Sequence, residues 1–185
     1  MPKSKTKVLT AEERLAEALV PEDEQPYPVP ENWVWVKINS CFEVTSSKRV
    51  FKDDWKESGI PFYRTRELVI LSEKGSVENE LFITEEMYED YSKSYGIPKS
   101  GDVLVSGVGT IGIPYVVQPT DKFYFKDGNI IWFIRKNDIC SEYVFHLYRS
   151  VFMRNQITGF SSGTTVDTYT IINAKKTLIP LPPLP

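Results

Sequence analysis

The stretch "GDVLVSGVGTIGIPYVV" (Gly101–Val117) contains Gly107-Val-Gly109-Thr-Ile-Gly112, a literal G-x-G-x-x-G after an apolar run that reads as a strand. A dinucleotide site built on that spacing opens a helix at the third glycine, because the free N–H groups and dipole of that helix hold the pyrophosphate. Here Ile113 is followed at once by Pro114, and Pro119 comes soon after. Proline has no N–H to donate and collides with the preceding helical turn. Pro114 fits a first turn, but Pro119 does not fit a continuing one. Between them Tyr115-Val116-Val117 is an aromatic and β-branched run suited to a strand. Asp127 stands near the spacing of a ribose-binding acid, yet Asp127-Gly128-Asn129 reads as a turn. The residues therefore predict a strand, a tight glycine turn and a second strand, and they argue against a dinucleotide cradle.

The size of the chain, 185 residues with 41% hydrophobic and 13% aromatic content, suits one well-buried domain with an arm. A formal net charge of −3 restricts any nucleic-acid surface to a local patch. Cys41 and Cys140 are too few and too isolated for a disulfide framework or a metal cage. No apolar segment approaches the span of a bilayer, and the N-terminal residues lack the apolar core of a signal peptide. These features predict a soluble cytoplasmic protein.

Thr10-Ala-Glu-Glu13 has capping-box spacing and predicts a helix from Ala11 to about Leu19. "PEDEQPYPVPEN" (Pro21–Asn32) follows, with four prolines and four acids, and reads as an extended, solvated arm. "WVWVKI" (Trp33–Ile38) alternates as a strand does and opens the folded body. Thr84 caps a predicted helix to about Tyr95, which Gly96 and Pro98 end. Strands are predicted at Asp102–Ser106, Tyr115–Val117, Phe123–Phe125 and Ile130–Arg135. Ser141 caps one further helix, "EYVFHLYRSVFMRNQI", with Val144, Leu147, Tyr148, Val151 and Phe152 on one face. Strands and helices without regular βαβ alternation indicate an α+β fold.

Two regions carry recognition chemistry. Ser46–Arg66 interleaves Lys48, Arg49, Lys52, Lys56, Arg64 and Arg66 with Phe51, Trp55, Phe62 and Tyr63. Such a segment binds a phosphate backbone, or it is a solvated loop whose aromatics cover the core. Arg64 and Arg66 alternate within "PFYRTREL", so a strand would put both on one face. From there they would fork onto guanine edges or phosphates, or pair with the acids that follow. Glu67–Ser92 contains eight acids against Lys74 alone. The loop "GFSSGTTVDTY" (Gly159–Tyr169) is rich in hydroxyls that bond bases or phosphates, or else it is a flexible turn; Thr164, Thr165, Asp167 and Thr168 are its candidate members. Catalytic searches fail. His146 sits in a predicted amphipathic helix with no nucleophile motif around it. The chain has no Walker loop, H-E-x-x-H, EF-hand loop or Asx-Pro-Pro methyltransferase signature.

Taken in order, several segments resemble the DNA-specificity subunit of type I restriction–modification systems. "EERLAEALVPEDEQPYPVPENWVWVKI" (Glu12–Ile38) is similar to the arm and first strand that open such subunits. "GIPFYRTREL" (Gly59–Leu68) is similar to an Ile-Pro-aromatic-x-Arg-Thr-Gly-Asp pattern, with Arg66-Glu67 in place of Gly-Asp. "GDVLVSGVGTIGIPYVV" matches a Gly-Asp-x-Leu-x-Ser-x-x-Gly-Thr-Ile-Gly block. "DGNIIWFI" (Asp127–Ile134) and "TIINAKKTLIPLPPLP" (Thr170–Pro185) complete the series.

The resemblance implies a mostly antiparallel, twisted mixed sheet with a few flanking helices, and a target-recognition domain that reads one half of a split DNA site. It implies partners in double-stranded DNA, a methyltransferase subunit and a restriction/translocase subunit. No cofactor is implied in this chain; S-adenosylmethionine belongs to the partner methyltransferase, which modifies adenine at N6. The chain would carry an N-terminal helix and acidic arm over 1–32, the first recognition domain over 33–179, and the proline-rich start of a spacer-helix region over 180–185. The candidate DNA contacts are Ser46, Ser47, Lys48, Arg49, Lys52, Arg64, Arg66, Thr110, Ser161, Ser162, Thr164 and Thr165. A competing expectation is a protein-interaction module that docks on a methyltransferase subunit or another specificity fragment without selecting DNA.

Overall fold

The computed structural model describes residues 10–136, 138–160 and 167–183. In chain order its elements are α1 (Ala11–Ala18), β1 (Val34–Lys37), α2 (Ile38–Cys41), β2 (Phe42–Thr45), β3 (Ile60–Tyr63), α3 (Thr65–Lys74), β4 (Phe82–Ile83), α4 (Glu85–Tyr95), β5 (Val103–Ser106), β6 (Pro114–Val116), β7 (Tyr124–Phe125), β8 (Ile130–Arg135), α5 (Ser141–Tyr148), α6 (Val151–Gly159), α7 (Ile171–Lys176) and β9 (Leu178–Leu181). The architecture is α+β.

Its centre is a four-stranded antiparallel sheet in the order β2-β8-β5-β6. Side chains alternate across a strand, so a sheet covered on both faces needs apolar residues at successive positions. β8 meets that need. Ile131 and Phe133 enter one core with Val103, Val105 and Val116, beneath Val144 and Tyr148 of α5 and Met153 and Ile157 of α6. Ile130 and Trp132 enter the opposite core with Leu104, Tyr115 and Val117, beneath Leu68 and Leu71 of α3. Three strands thus read as continuous apolar runs because each feeds two layers. Pro114 is tolerated because it opens β6, the edge strand of this sheet.

A second sheet, β4-β3-β7, pairs β3 antiparallel to β4 and parallel to β7. It builds a third core from Val50, Ile60, Phe62, Ile83 and Tyr124, closed by Tyr88 of α4. β1 and β9 form an antiparallel ribbon with Trp35 opposite Pro180, bringing distant parts of the chain together. The strand includes Pro180 and Leu181, two residues beyond the expected 179 boundary.

The arm over Pro21–Asn32 is docked rather than freely solvated. Val20 N–H donates to the Trp35 carbonyl at 2.9 Å, and the Trp35 indole donates to the Tyr27 carbonyl at 3.0 Å. The Tyr27 ring meets Trp35 and Phe152 edge-on at 4.9 and 5.4 Å. The Tyr27 ring, set between Pro26 and Pro28, supplies this anchoring, which composition alone does not show.

The predicted helices at Thr10 and Thr84 form, and each threonine hydroxyl accepts the expected N–H, from Glu13 and Met87. The long helix predicted after Ser141 does not form as one piece. It breaks at Arg149-Ser150 into α5 and α6, because the Ser150 hydroxyl caps a fresh start by accepting Met153 N–H at 3.1 Å. Val151 is consequently exposed instead of lying on the buried face. Cys140, not Ser141, stands at the first cap, and the Ser141 hydroxyl donates to the Gly101 carbonyl.

Candidate nucleic-acid interface

The opening glycine motif is a β-hairpin turn between β5 and β6, not a helix start. Ser106 closes it from beneath: its hydroxyl donates to the Thr110 carbonyl and accepts Ile113 N–H at 2.8 Å. Its carbonyl accepts Gly112 N–H at 2.8 Å. Gly109 and Gly112 both have φ of +78°, the left-handed region in which a side chain is strained. The turn therefore presents Gly109 and Thr110 to solvent from a rigid base.

Three other segments meet this turn. Gly107 N–H donates to the Asn129 carbonyl at 2.8 Å, bringing in the Asp127–Asn129 turn. Tyr169 N–H donates to the Gly107 carbonyl at 2.8 Å, and Val108 forms a bridge with Thr168. The start of α3 closes the fourth side, with Thr65 Oγ1 at 3.5 Å from the Asn129 carbonyl. Thr65, Arg66, Val69, Val108, Thr110 and Asn129 line one shallow open groove.

Arg64 and Arg66 do not share a strand face. β3 ends at Tyr63, and Arg64 occupies the cap position of α3. The residue type disguises the cap: Glu67 reaches back to accept Arg64 N–H at 3.0 Å, the acidic half of a capping box with arginine in place of serine or threonine. Arg64 also forks onto Glu67, with Nε to Oε2 at 3.1 Å and Nη2 to Oε1 at 2.8 Å. Burial pushes the Glu67 carboxyl up, but the side-chain and backbone hydrogen bonds from Arg64 together hold it below the usual carboxylate range. Arg66, on the first turn of α3, lies 3.7 Å from Glu80, and both side chains are about two-thirds exposed, at 63% and 66%.

The Ser46–Lys52 candidates divide. Ser46 and Ser47 hydroxyls donate to the Ile130 and Phe125 carbonyls, both at 2.7 Å, and so fasten the segment to β8 and β7. Lys48 N–H donates to the Tyr124 hydroxyl at 2.9 Å, while its ammonium lies over the Tyr95 ring. Arg49 is exposed and donates to Asp127 at 3.0 Å, beside the Asp127–Asn129 turn. Lys52 is exposed on a separate single turn, Lys52–Asp54, outside the groove. Ser161, Ser162, Thr164 and Thr165 lie outside the described residues. Thr65 and Asn129 were missed from the sequence, because what gathers them is pairing with residues far along the chain.

Where the hydroxyl-rich segment re-enters the fold it is anchored by buried hydroxyls. The Tyr148 and Tyr169 hydroxyls are 2.9 Å apart, and Tyr169 also bonds the Thr177 hydroxyl. Burial pushes Tyr169 up to about 12 and Tyr148 well above its ordinary value. Tyr169→Phe should cost about 1–2 kcal/mol in urea unfolding, since it removes a hydrogen-bond partner from two buried hydroxyls without removing the ring, although the Thr177 hydroxyl keeps the Asn173 carbonyl. An unchanged midpoint would show that the chain of hydroxyls does not anchor the segment.

Among the described residues no group of three or more His, Cys, Asp or Glu could hold a metal ion, and no helix is long and apolar enough to cross a membrane. His146 is exposed on α5, edge-on to Phe145.

Comparisons with known proteins agree on one family. The family model for the type I restriction modification DNA specificity domain matches residues 30–185. A Haemophilus influenzae protein named as a type I restriction enzyme specificity subunit is 30% identical over 153 residues, covering 80% of this chain and 36% of its own length. A solved chain from work on complex assembly and conformational transition of the type I R-M system aligns with a TM-score of 0.60 at 16% identity, covering 92% of this chain and 38% of that one. The HsdS subunit from Thermoanaerobacter tengcongensis aligns with a TM-score of 0.56 at 16% identity, covering 92% and 37%. This chain thus spans little more than a third of the relatives it matches. With most of its length inside the matched region, the chain belongs to the type I restriction modification DNA specificity domain family.

Proposed function

We propose that this chain is one target-recognition domain, which reads one half of a bipartite double-stranded DNA site on behalf of a methyltransferase subunit and a restriction/translocase subunit. The observation that carries the reading is the convergence of the glycine turn, the start of α3, the Asp127–Asn129 turn and Thr168 around one open groove. Protein–DNA interfaces divide their work: cations fix register on phosphates, while polar side chains read base edges. Arg49, bonded to Asp127 beside the groove, serves as a phosphate contact, and Thr110 and Arg66 stand where base edges would come. Ser161, Ser162, Thr164 and Thr165 are the further candidates, since their segment leads directly to Thr168. The acidic helix α4 faces away from DNA or towards a protein partner. Covalent chemistry and S-adenosylmethionine belong to the methyltransferase subunit, in a cytoplasmic setting.

The test is to place this segment in an intact type I system and sequence the methylome. One half of the methylated site should change to a new sequence and the other half should persist. Unchanged methylation in both halves would end this reading and leave docking on a protein partner as the alternative. The isolated chain should bind a single half-site weakly, because it lacks the avidity of two linked readers. Nanomolar specific affinity in a salt-controlled titration would contradict that expectation.

A further inference from the structure

We propose that Arg66 reads a guanine in the target half-site, whereas Arg64 is committed to Glu67 and reads no base; this rests on the DNA-reading role above. The two arginines sit two positions apart and differ in what already holds them. Arg64 donates two guanidinium hydrogen bonds to Glu67, at 3.1 and 2.8 Å, and the Glu67 side chain is 2% exposed. Turning that guanidinium to a base would leave a carboxylate buried and unpaired, a costly exchange.

Arg66 has no such commitment. Its contact with Glu80, at 3.7 Å, is longer than a charge-assisted hydrogen bond, and both ends stand in water, so little opposes its release. It projects from the first turn of a helix whose opposite side is fixed in the core by Leu68 and Leu71. A reader carried on a rigid element holds its geometry better than one on a loop. The groove beside it supplies hydroxyl and amide groups from Thr65, Thr110 and Asn129 over the apolar floor of Val69 and Val108. A planar guanidinium offers paired donors matched to the O6 and N7 acceptors of guanine, the commonest specific contact in the major groove.

The experiment compares wild type, Arg66→Ala, Arg66→Lys and the double variant Arg64→Leu/Glu67→Leu, each within a complete specificity subunit with its methyltransferase and restriction partners. Methylome sequencing is the readout. Both Arg66 variants should relax one G·C position of the half-site, with the preference for guanine there falling roughly tenfold or more and the other positions unchanged. The double variant removes the buried carboxylate together with its partner and should keep the wild-type motif. Because Arg66 is exposed, the melting temperature of the Arg66→Ala chain should stay within about two degrees of wild type, which separates lost reading from lost folding. An intact motif in both Arg66 variants overturns the assignment, as does relaxation of one position in the double variant. If the wild-type segment imposes no half-site at all, the target-recognition reading itself has failed, and this assignment with it.

Discussion

Gly107→Ala is expected to destabilise the fold by about 3 kcal/mol and to abolish with it the half-site selection proposed above. A β-carbon at this position would lie 2.7 Å from the Tyr169 carbonyl oxygen and 3.4 Å from that of Asn129. Both obstacles are backbone, so no side-chain rotation relieves them. Nor is either free to retreat: Asn129 precedes β8, and the Tyr169 ring is tied through its hydroxyl to Tyr148 and Thr177. The Gly107 N–H and carbonyl hold these same two segments at 2.8 Å each, so moving them apart breaks the hydrogen bonds that assemble the groove. Gly128→Ala is the control, because a β-carbon there meets nothing within 4 Å and only the φ of +69° opposes it. That substitution should cost nearer 1 kcal/mol. Urea unfolding of both variants measures the difference; equal costs would show that Gly107 is not the junction the contacts describe.

The hairpin was legible in the sequence because its determinants are local. Pro114 and Pro119 exclude a helix wherever the rest of the chain lies, and closely spaced glycines at 107, 109 and 112 mark a turn. The same holds for α1 and α4, whose threonine caps act within one helical turn. α3 was hidden for the opposite reason. "PFYRTREL" begins as strand β3 and becomes helix at Thr65, and its cap combines an arginine with a glutamate, so the usual hydroxyl signal is missing. The break between α5 and α6 did carry a signal, Ser150 as a cap, but continuous apolar periodicity across it outweighed that one residue.

The site was legible in part. The sequence pointed to Ser46, Ser47 and the glycine turn; the structure brings Ser46 and the glycine turn to the Asp127–Asn129 turn, while Ser47 bonds Phe125 at the end of β7. It could not separate fastening hydroxyls from presented ones. Ser46 and Ser47 spend their hydrogens on backbone carbonyls 84 and 78 residues away, a pairing that no local pattern encodes. Thr65 and Asn129 are ordinary helix-start and turn residues until the fold sets one beside the other. Arg64 and Arg66 are alike in the sequence and unlike in surroundings, because burial of Glu67 depends on the layer that α3 covers.

Arg64→Ala is expected to cost roughly 3 kcal/mol at pH 7, the lower end for removing one partner of a buried pair, since Arg64 itself is one-third exposed at 33%. The cost should shrink in acid, and its sign follows from Glu67. In the wild type, hydrogen bonds from Arg64 hold the folded carboxyl below its ordinary value, near 4.5. The pair's contribution is therefore complete above the unfolded value and disappears as pH falls through the lower, folded one. In Arg64→Ala the guanidinium bonds are lost, while burial and the backbone N–H of residue 64 still act on Glu67. Its carboxyl should therefore rise above its wild-type value, and the variant's folded state gains a proton at higher pH than the wild-type folded state does. Lowering the pH from 7 towards 4 thus destabilises the wild type more than the variant at the end of that range, and the two curves converge. Glu67→Gln, with no charge to bury, should lack the part of the acid-dependent slope that Glu67 contributes. Unfolding free energies measured at pH 7, 5 and 4 decide the matter, because a gap that stays constant across that range would mean the buried carboxylate is not what Arg64 holds in place.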